Sequence, residues 1–333
     1  MKPMSERGEV LVTWPGFDLD GPQAGARLRQ AGLRVRLAPK TGPRTADEVR
    51  LLARGAVAAI VSTDPFDRAT LAAAEQLRVV ARVGVGTDSI DLPAATEEGV
   101  IVTVTPGANR ETTADHAVAL ILAALRRIVE HDASVRRGEW ERGSAMTPWD
   151  LHGTTVGLIG HGAIGRAVAR RLRGFGVRLL VCDPAVREEP DAELVTLAEL
   201  LERADVISLH LPLSAATRGL IGARELACMR PEATLVNASR GGLVDEAALI
   251  DALTTGRLRA AALDVFADEP AVPPRLLELP NVTLTPHIGG LSTTSIARMV
   301  EMATASVLAT LDGAVDPGLV ANPAVLQTPE AIG

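Results

Sequence analysis

Short runs of β-branched and aliphatic residues, each about one strand long, recur along the first hundred residues and alternate with stretches patterned for helices. Residues 10–13, 57–61 and 101–104 are the clearest of these runs. Such alternation predicts a parallel α/β sheet. Thr105-Pro106-Gly107 interrupts it. From about 110 to 137 the chain keeps an apolar face with no interior Gly or Pro, which predicts one long helix. A second alternating series then runs through 155–159, 179–181, 206–209, 234–236 and 260–263. Five or six strands with intervening helices predict a doubly wound sheet. After residues 283–287 come a Gly-Gly turn, a last helix over about 293–311, and a Pro-containing tail beyond Asp316 that reads as an extended arm. Neither a solenoid-type repeat nor a low-complexity segment is visible.

With 333 residues, 47% of them hydrophobic, the chain suits two domains. The net charge of -7 comes from interspersed acids and bases. That leaves no electrostatic footprint for nucleic acid or an anionic membrane. The chain has no Tyr and is 2% aromatic, so platforms for stacking bases are missing as well. The first seven residues lack an apolar signal core, and the longest apolar run, 117–125, is far below the roughly 18 residues needed to span a bilayer. These features place the protein in the cytoplasm. Cys182 and Cys228 sit singly in apolar segments, which suits a reducing compartment and a packing role. The six histidines show no paired ligand spacing, so no metal is expected.

Candidate chemistry begins at Gly160-His161-Gly162-Ala163-Ile164-Gly165, which follows one predicted strand and opens a helix. Glycines so placed can make a tight turn, admit a pyrophosphate and let the helix pack closely, while the helix N-terminus offers amides to phosphate oxygens. Asp183 lies eighteen residues beyond Gly165 at the end of the next strand. A carboxylate there binds a ribose 2'-OH and repels a 2'-phosphate. NAD is therefore favoured over NADP, with Arg187 the one nearby residue that argues the other way.

Three ionisable residues follow later strands of the same series: Arg240 in Asn237-Ala238-Ser239-Arg240-Gly241-Gly242, Glu269 before Pro270, and His287 after Pro286. Singly they read as a surface cation, a turn residue and a loop histidine. Behind a dinucleotide motif they read as a catalytic set, because strand ends of an open sheet face its ligand. Reducing a 2-oxo acid requires a cation for the carboxylate and an acid for the new alkoxide. Arg240 suits the first task, since a guanidinium grips a carboxylate through two parallel hydrogen bonds. His287 suits the second, and Glu269 beside it would favour the protonated ring and fix its orientation.

These motifs, with Val156-Gly157-Leu158-Ile159-Gly160, His210-Leu211-Pro212-Leu213, Leu243-Val244-Asp245-Glu246 and Leu263-Asp264-Val265-Phe266, resemble the D-isomer-specific 2-hydroxyacid dehydrogenase family over almost the whole chain. The resemblance implies two Rossmann-like domains. A flavodoxin-like substrate domain would be discontinuous, over 1–105 and 291–333, and a doubly wound NAD-binding domain would span 106–290. It implies a catalytic triad of Arg240, Glu269 and His287. NAD contacts are implied from Gly160, Gly162, Ala163, Ile164, Gly165, Asp183, His210, Pro212, Thr217, Ala238, Ser239, Arg240, Asp264, His287, Gly289 and Gly290. Asp264 would sit on the nicotinamide side. A substrate loop at Arg82-Val83-Gly84-Val85-Gly86-Thr87-Asp88 would receive the substrate carboxylate on the amides of Val85 and Gly86, together with Arg240 and His287. The helix at 109–137 and the loop after it resemble a dimerisation element, which implies a homodimer.

Departures bear on the substrate. Phosphoglycerate dehydrogenases usually carry Arg-Ser after the strand at 59–61, where this chain has Ser62-Thr63. Ser89 and Asp115 stand where Asn and Glu are commoner. No counterpart of the regulatory domain of longer phosphoglycerate dehydrogenases is present, so feedback control by an amino acid is not implied. Two other functions suit the same residues: an NAD(H)-sensing binding protein of the corepressor type, and a dehydrogenase of a phosphonate or phosphite oxyanion, with Arg82 and Arg110 adding charge.

Overall fold

The computed structural model describes residues 7–18, 24–40, 42–143 and 147–327. Residues 1–6, most of the N-terminal stretch read above as lacking a signal core, and the last part of the tail, 328–333, lie outside the described residues. The chain divides into two compact units, Met1–Asn109 with Ser292–Gly333, and Arg110–Leu291.

In the first unit β1 (Glu9–Val12), β2 (Arg34–Leu37), β3 (Ala56–Val61), β4 (Val79–Arg82) and β5 (Ile101–Thr103) form an all-parallel sheet in the order β2-β1-β3-β4-β5. This is the flavodoxin-like order. The inner strands are apolar and buried, whereas β2 is an edge strand of alternating Arg and aliphatic residues. Helix α12 (Thr293–Leu311), from the far end of the chain, starts at a Ser292 cap and packs Met299, Val300, Ala303 and Val307 with Val10, Val12, Ile60, Val79 and Ala81.

The tail is not an extended arm. It forms 3-10 turns at Pro317–Leu319 and Pro323–Gln327 and closes the open edge of β5. Val320 bridges Thr103 in antiparallel fashion, and the Asn322 side chain accepts from the Val102 amide and donates to the Val100 carbonyl, both at 2.9 Å. An edge strand otherwise offers unpaired backbone groups, and the tail satisfies them.

In the second unit the predicted long helix is broken. Helix α5 (Arg110–Arg126) ends at Arg127, whose φ of 51° is left-handed, and α6 (Ile128–Arg136) follows. The Arg127 guanidinium pairs with Glu130 at 2.9 Å across the break. With neither Gly nor Pro to mark it, the break left no trace in the pattern.

Strands β6 (Thr155–Ile159), β7 (Arg178–Cys182), β8 (Glu193–Leu194), β9 (Val206–Leu209), β10 (Thr234–Asn237), β11 (Ala260–Leu263) and β12 (Val282–Leu284) are all parallel, in the order β12-β11-β10-β9-β6-β7-β8. That is more than the five or six expected, because β8 is a two-residue exposed edge with no apolar signal. On one face α5 contributes Ala114, Ala117, Ile121 and Leu125 to a core with Leu158, Val168 and Val236. The opposite core gathers Leu180, Ile207, Leu235 and Leu249. The packing role expected of both cysteines holds in part: Cys182 packs against that second core, but Cys228 is exposed. Among the described residues no helix is long and apolar enough to cross a membrane.

Candidate active site

In the second sheet the order reverses between β6 and β9, the point where an open α/β sheet holds a dinucleotide. Gly160 leaves β6 at φ 91°, and a Cβ there would collide with the His210 carbonyl at the exit of β9. A Cβ on Gly165 would collide with the Gly160 carbonyl oxygen, so helix α7 (Ala163–Arg173) sits hard against the turn. Around Gly162, the N-cap of α7, an added Cβ would meet nothing within 4 Å. Two glycines are thus required by packing, and the third leaves open space before a helix N-terminus. The first-turn amides, at Ala163, Ile164 and Gly165, lack intrahelical acceptors. This cradle fits a pyrophosphate.

Asp183 follows β7 and accepts from the His161 amide at 2.7 Å and the Ala185 amide at 2.8 Å. Burial pushes its carboxyl up, but those amides, with His161 and Arg166 nearby, hold it below the ordinary aspartate value. Arg187 is exposed. The sequence reading missed His161 itself, whose buried imidazole Nε2 lies 2.7 Å from Glu189, an acid also paired to Arg173 at 2.9 Å. A second carboxylate thus stands by the loop that carries Asp183. The motif leaves this position unspecified, so no local signal could have found it.

Beyond β9, the His210 imidazole points inward to Ser208 at 2.9 Å. Thr217 donates to the Pro212 carbonyl and accepts from the Ser214 amide, each at 2.8 Å, which closes that loop. Ser239, next to buried Ala238, donates to the Leu209 carbonyl at 2.7 Å. Burial, aided by His161, lowers the His210 pKa to about 4. The unfolded chain takes up this proton near pH 6.5 and the folded chain only near 4, so stability falls as pH drops through that window, by at most roughly 3 kcal/mol. Urea titrations of His210→Gln should show a smaller loss there than the natural chain; parallel curves would refute the assignment.

The triad candidates follow three adjacent strands. Arg240 leaves β10 in a loop braced by Asn237, which donates to the Arg240 carbonyl at 2.8 Å and accepts from the Ser239 amide at 3.1 Å. The guanidinium donates to the Ser239 carbonyl at 2.6 Å. A Cβ on Gly241 would collide with the Phe266 backbone, and the Ala267 amide donates to Glu246 at 2.7 Å, so the Arg240 loop is packed directly on the loop carrying Glu269. Glu269 accepts from the Phe266 amide at 3.0 Å and meets His287 Nδ1 at 2.6 Å. An ionised carboxylate only accepts, so Nδ1 carries the proton. Nε2 makes no hydrogen bond among the described residues.

His287 follows β12 at φ 54°, a left-handed conformation that costs a non-Gly residue on the order of 1 kcal/mol. Asp264 holds this turn. Its backbone carbonyl accepts from the His287 amide at 2.8 Å, and its carboxylate accepts from the Thr285 hydroxyl at 2.6 Å and the Ile288 and Gly289 amides at 2.9 and 2.7 Å. Gly290 completes the turn. The Asp264 side chain, expected on the nicotinamide side, is only 1% exposed, and its hydrogen bonds go to the turn that carries His287.

The candidate substrate loop belongs to the first unit. Gly84, at φ 142°, exchanges hydrogen bonds with Thr105: its amide donates to Oγ1 at 3.0 Å and its carbonyl accepts from the Thr105 amide at 2.9 Å. The Arg82 guanidinium donates to the Val83 carbonyl. Val85 is exposed, and among the described residues the Val85 and Gly86 amides have no protein acceptor. Arg110, a possible extra cation, pairs with Glu111 at 3.0 Å, and Asp115 with Arg171 at 2.6 Å. Among the described residues no cluster of three or more His, Cys, Asp or Glu is arranged to hold a metal ion.

A dinucleotide cradle, with a hydrogen-bonded Glu-His pair and an arginine loop on neighbouring strands of the same sheet, is an arrangement suited to a nicotinamide-dependent oxidoreductase. Residues 118–289 match the family model of the D-isomer specific 2-hydroxyacid dehydrogenase, NAD binding domain. The chain is 45% identical over 276 residues to a glyoxylate reductase of Korarchaeum cryptofilum, covering 80% of this chain and 83% of that one. Among solved structures, the TT0316 protein of Thermus thermophilus superposes with a TM-score of 0.86 at 40% identity, over 94% of this chain and 99% of that one. The NADPH-dependent glyoxylate/hydroxypyruvate reductase of Sinorhizobium meliloti, in complex with NADP and malonate, gives 0.79 at 34% identity, over 91% and 93%. The chain belongs to the D-isomer specific 2-hydroxyacid dehydrogenase family, with two Rossmann-like domains and the interconversion of 2-oxo and 2-hydroxy acids on a nicotinamide cofactor as its activity. These relationships favour the enzyme over a redox sensor or a phosphonate dehydrogenase.

Proposed function

We propose that the protein is an NADH-dependent reductase of small, unphosphorylated 2-oxo acids of the glyoxylate and hydroxypyruvate type. The observation that carries this is the 2.6 Å bond from His287 Nδ1 to Glu269, with Nε2 making no hydrogen bond among the described residues. The nicotinamide, when bound, supplies the hydride to C2. Arg240 grips the substrate carboxylate through its two-pronged guanidinium. Protonated His287 gives its Nε2 proton to the C2 oxygen as that oxygen gains charge, and Glu269 stabilises the imidazolium before the transfer. In the oxidative direction neutral His287 takes the proton back. By this assignment Met1–Asn109 with Ser292–Gly333 is the substrate domain and Arg110–Leu291 the cofactor domain.

Two features support the substrate and cofactor choice. At the end of β3, Asp64 is buried and bonded to Arg44 at 2.8 Å and to Thr13 at 2.6 Å, so the cation there is already neutralised and Ser62-Thr63 adds no charge for a phosphate. Ionised Asp183 favours a ribose hydroxyl over a 2'-phosphate. Asp183→Ala is expected to lower the NADH-over-NADPH ratio of kcat/KM roughly 10- to 100-fold, the worth of a charged hydrogen bond; an unchanged ratio removes the argument. NADH oxidation against glyoxylate, hydroxypyruvate, pyruvate and phosphohydroxypyruvate tests the reading as a whole. Turnover of the first two is expected, and a preference for the phosphorylated acid or no turnover at all overturns it.

We also propose a homodimer through α6 and the loop after it. Ile128, Val129, Val135 and Trp140 are each more than half exposed there, a concentration of apolar surface suited to self-association. Sedimentation giving only monomer at micromolar concentration would exclude it.

A further inference from the structure

We propose that His116, on α5 and outside the acid-base pair, is a positioning residue for His287. It donates from Nε2 to the Thr285 hydroxyl and the Asp264 carboxylate that hold the His287 turn. The inference rests on the acid-base role given to His287 above.

Nε2 lies 3.1 Å from Thr285 Oγ1 and 3.3 Å from Asp264 Oδ1. A hydroxyl has one proton, and Thr285 stands 2.6 Å from the same carboxylate oxygen, which as an ionised group can only accept. The Thr285 proton is therefore committed to Asp264, and the hydroxyl can only accept from the imidazole. Both neighbours of Nε2 being acceptors, Nε2 must carry the hydrogen. The ring also packs on the turn itself: a Cβ on Gly289 would lie 3.1 Å from His116 Cδ2 and 2.8 Å from Asp264 Oδ2. Burial pushes the Asp264 carboxyl up, but His116, Thr285 and the Ile288 and Gly289 amides hold it below its ordinary value. His116 thus helps keep Asp264 an acceptor, and Asp264 fixes the residues on both sides of His287. A proton donor displaced by about 1 Å loses much of its rate, so the effect belongs in kcat.

His116→Leu removes the donor while keeping bulk. His116→Gln restores an N-H near the Nε2 position. Thr285→Val removes the relay hydroxyl. In NADH-linked reduction of glyoxylate or hydroxypyruvate, His116→Leu is expected to lower kcat roughly 10- to 100-fold. KM for the oxo acid and the NADH dissociation constant, read by nucleotide fluorescence, should stay within about threefold. Gln should recover most of the loss. Thr285→Val should resemble Leu, and the double variant should add little, because both act through one chain of hydrogen bonds. An unchanged kcat with a lowered Tm, or a Gln variant as slow as Leu, overturns the proposal. If His116→Leu does not fold, Thr285→Val decides alone: a selective kcat loss supports the proposal and natural kcat overturns it. A readout independent of turnover is 15N NMR of the imidazoles. His116 should be the Nε2-H tautomer, and the His287 Nδ1 proton signal should move in Thr285→Val; the opposite tautomer, or an unmoved signal, also overturns it. A chain that reduces no 2-oxo acid yet passes the NMR test would sink the functional reading and leave the hydrogen-bond assignment standing.

Discussion

Replacing His287 with asparagine is expected to lower kcat for 2-oxo acid reduction by roughly 10²- to 10⁴-fold, the range that a positioned general acid contributes. Asparagine suits the test because it shares the tolerance of histidine for left-handed backbone, and His287 sits at φ 54°. The turn held by Asp264 therefore survives, the imidazole goes, and no group of comparable acidity replaces it. NADH binding should change little, since the dinucleotide cradle lies beyond β6 and β7. Stopped-flow measurement of a single turnover separates the chemical step from product release. A variant within about fivefold of the natural kcat would remove His287 from the acid-base role.

The second large effect is expected at Arg240. Arg240→Ala should cut kcat/KM for the oxo acid by about 10²- to 10³-fold, since two charge-assisted hydrogen bonds are lost together. Much of the loss should appear in KM. Lysine keeps the charge but presents a point rather than a planar fork, so Arg240→Lys should fall between the two. The Arg240 loop is braced by Asn237 and packed on Phe266 through Gly241, so neither change requires the backbone to move. Equal losses for NADH affinity and for substrate would assign the guanidinium to the cofactor instead.

The parts legible in the sequence were those with a local signature. The glycine motif declared itself because strand, turn and helix are contiguous. Arg240, Glu269 and His287 stood out because each follows an apolar strand and adjoins a Gly or Pro. Other features had no such mark. Arg127 breaks a helix in a left-handed conformation that no propensity announces for arginine. The edge strands β2 and β8 carry no apolar run. The support for His287 is assembled over long separations, with His116 and Thr285 bonded across 169 positions, and no period or spacing encodes such a pair. The tail after Asp316 misled for the same reason: its partners in β5 lie some two hundred residues earlier.

The first unit is assembled from both ends of the polypeptide. During synthesis the ribosome releases β1 to β5 well before α12 and the closing turns exist, so the nascent sheet waits with one face only partly covered and the outer edge of β5 open. The interior unit, Arg110–Leu291, is contiguous in sequence and has emerged whole once residue 291 is made. The unit that holds Glu269 and His287 can therefore mature first, and the last forty or so residues act as the keystone for the oldest part of the chain.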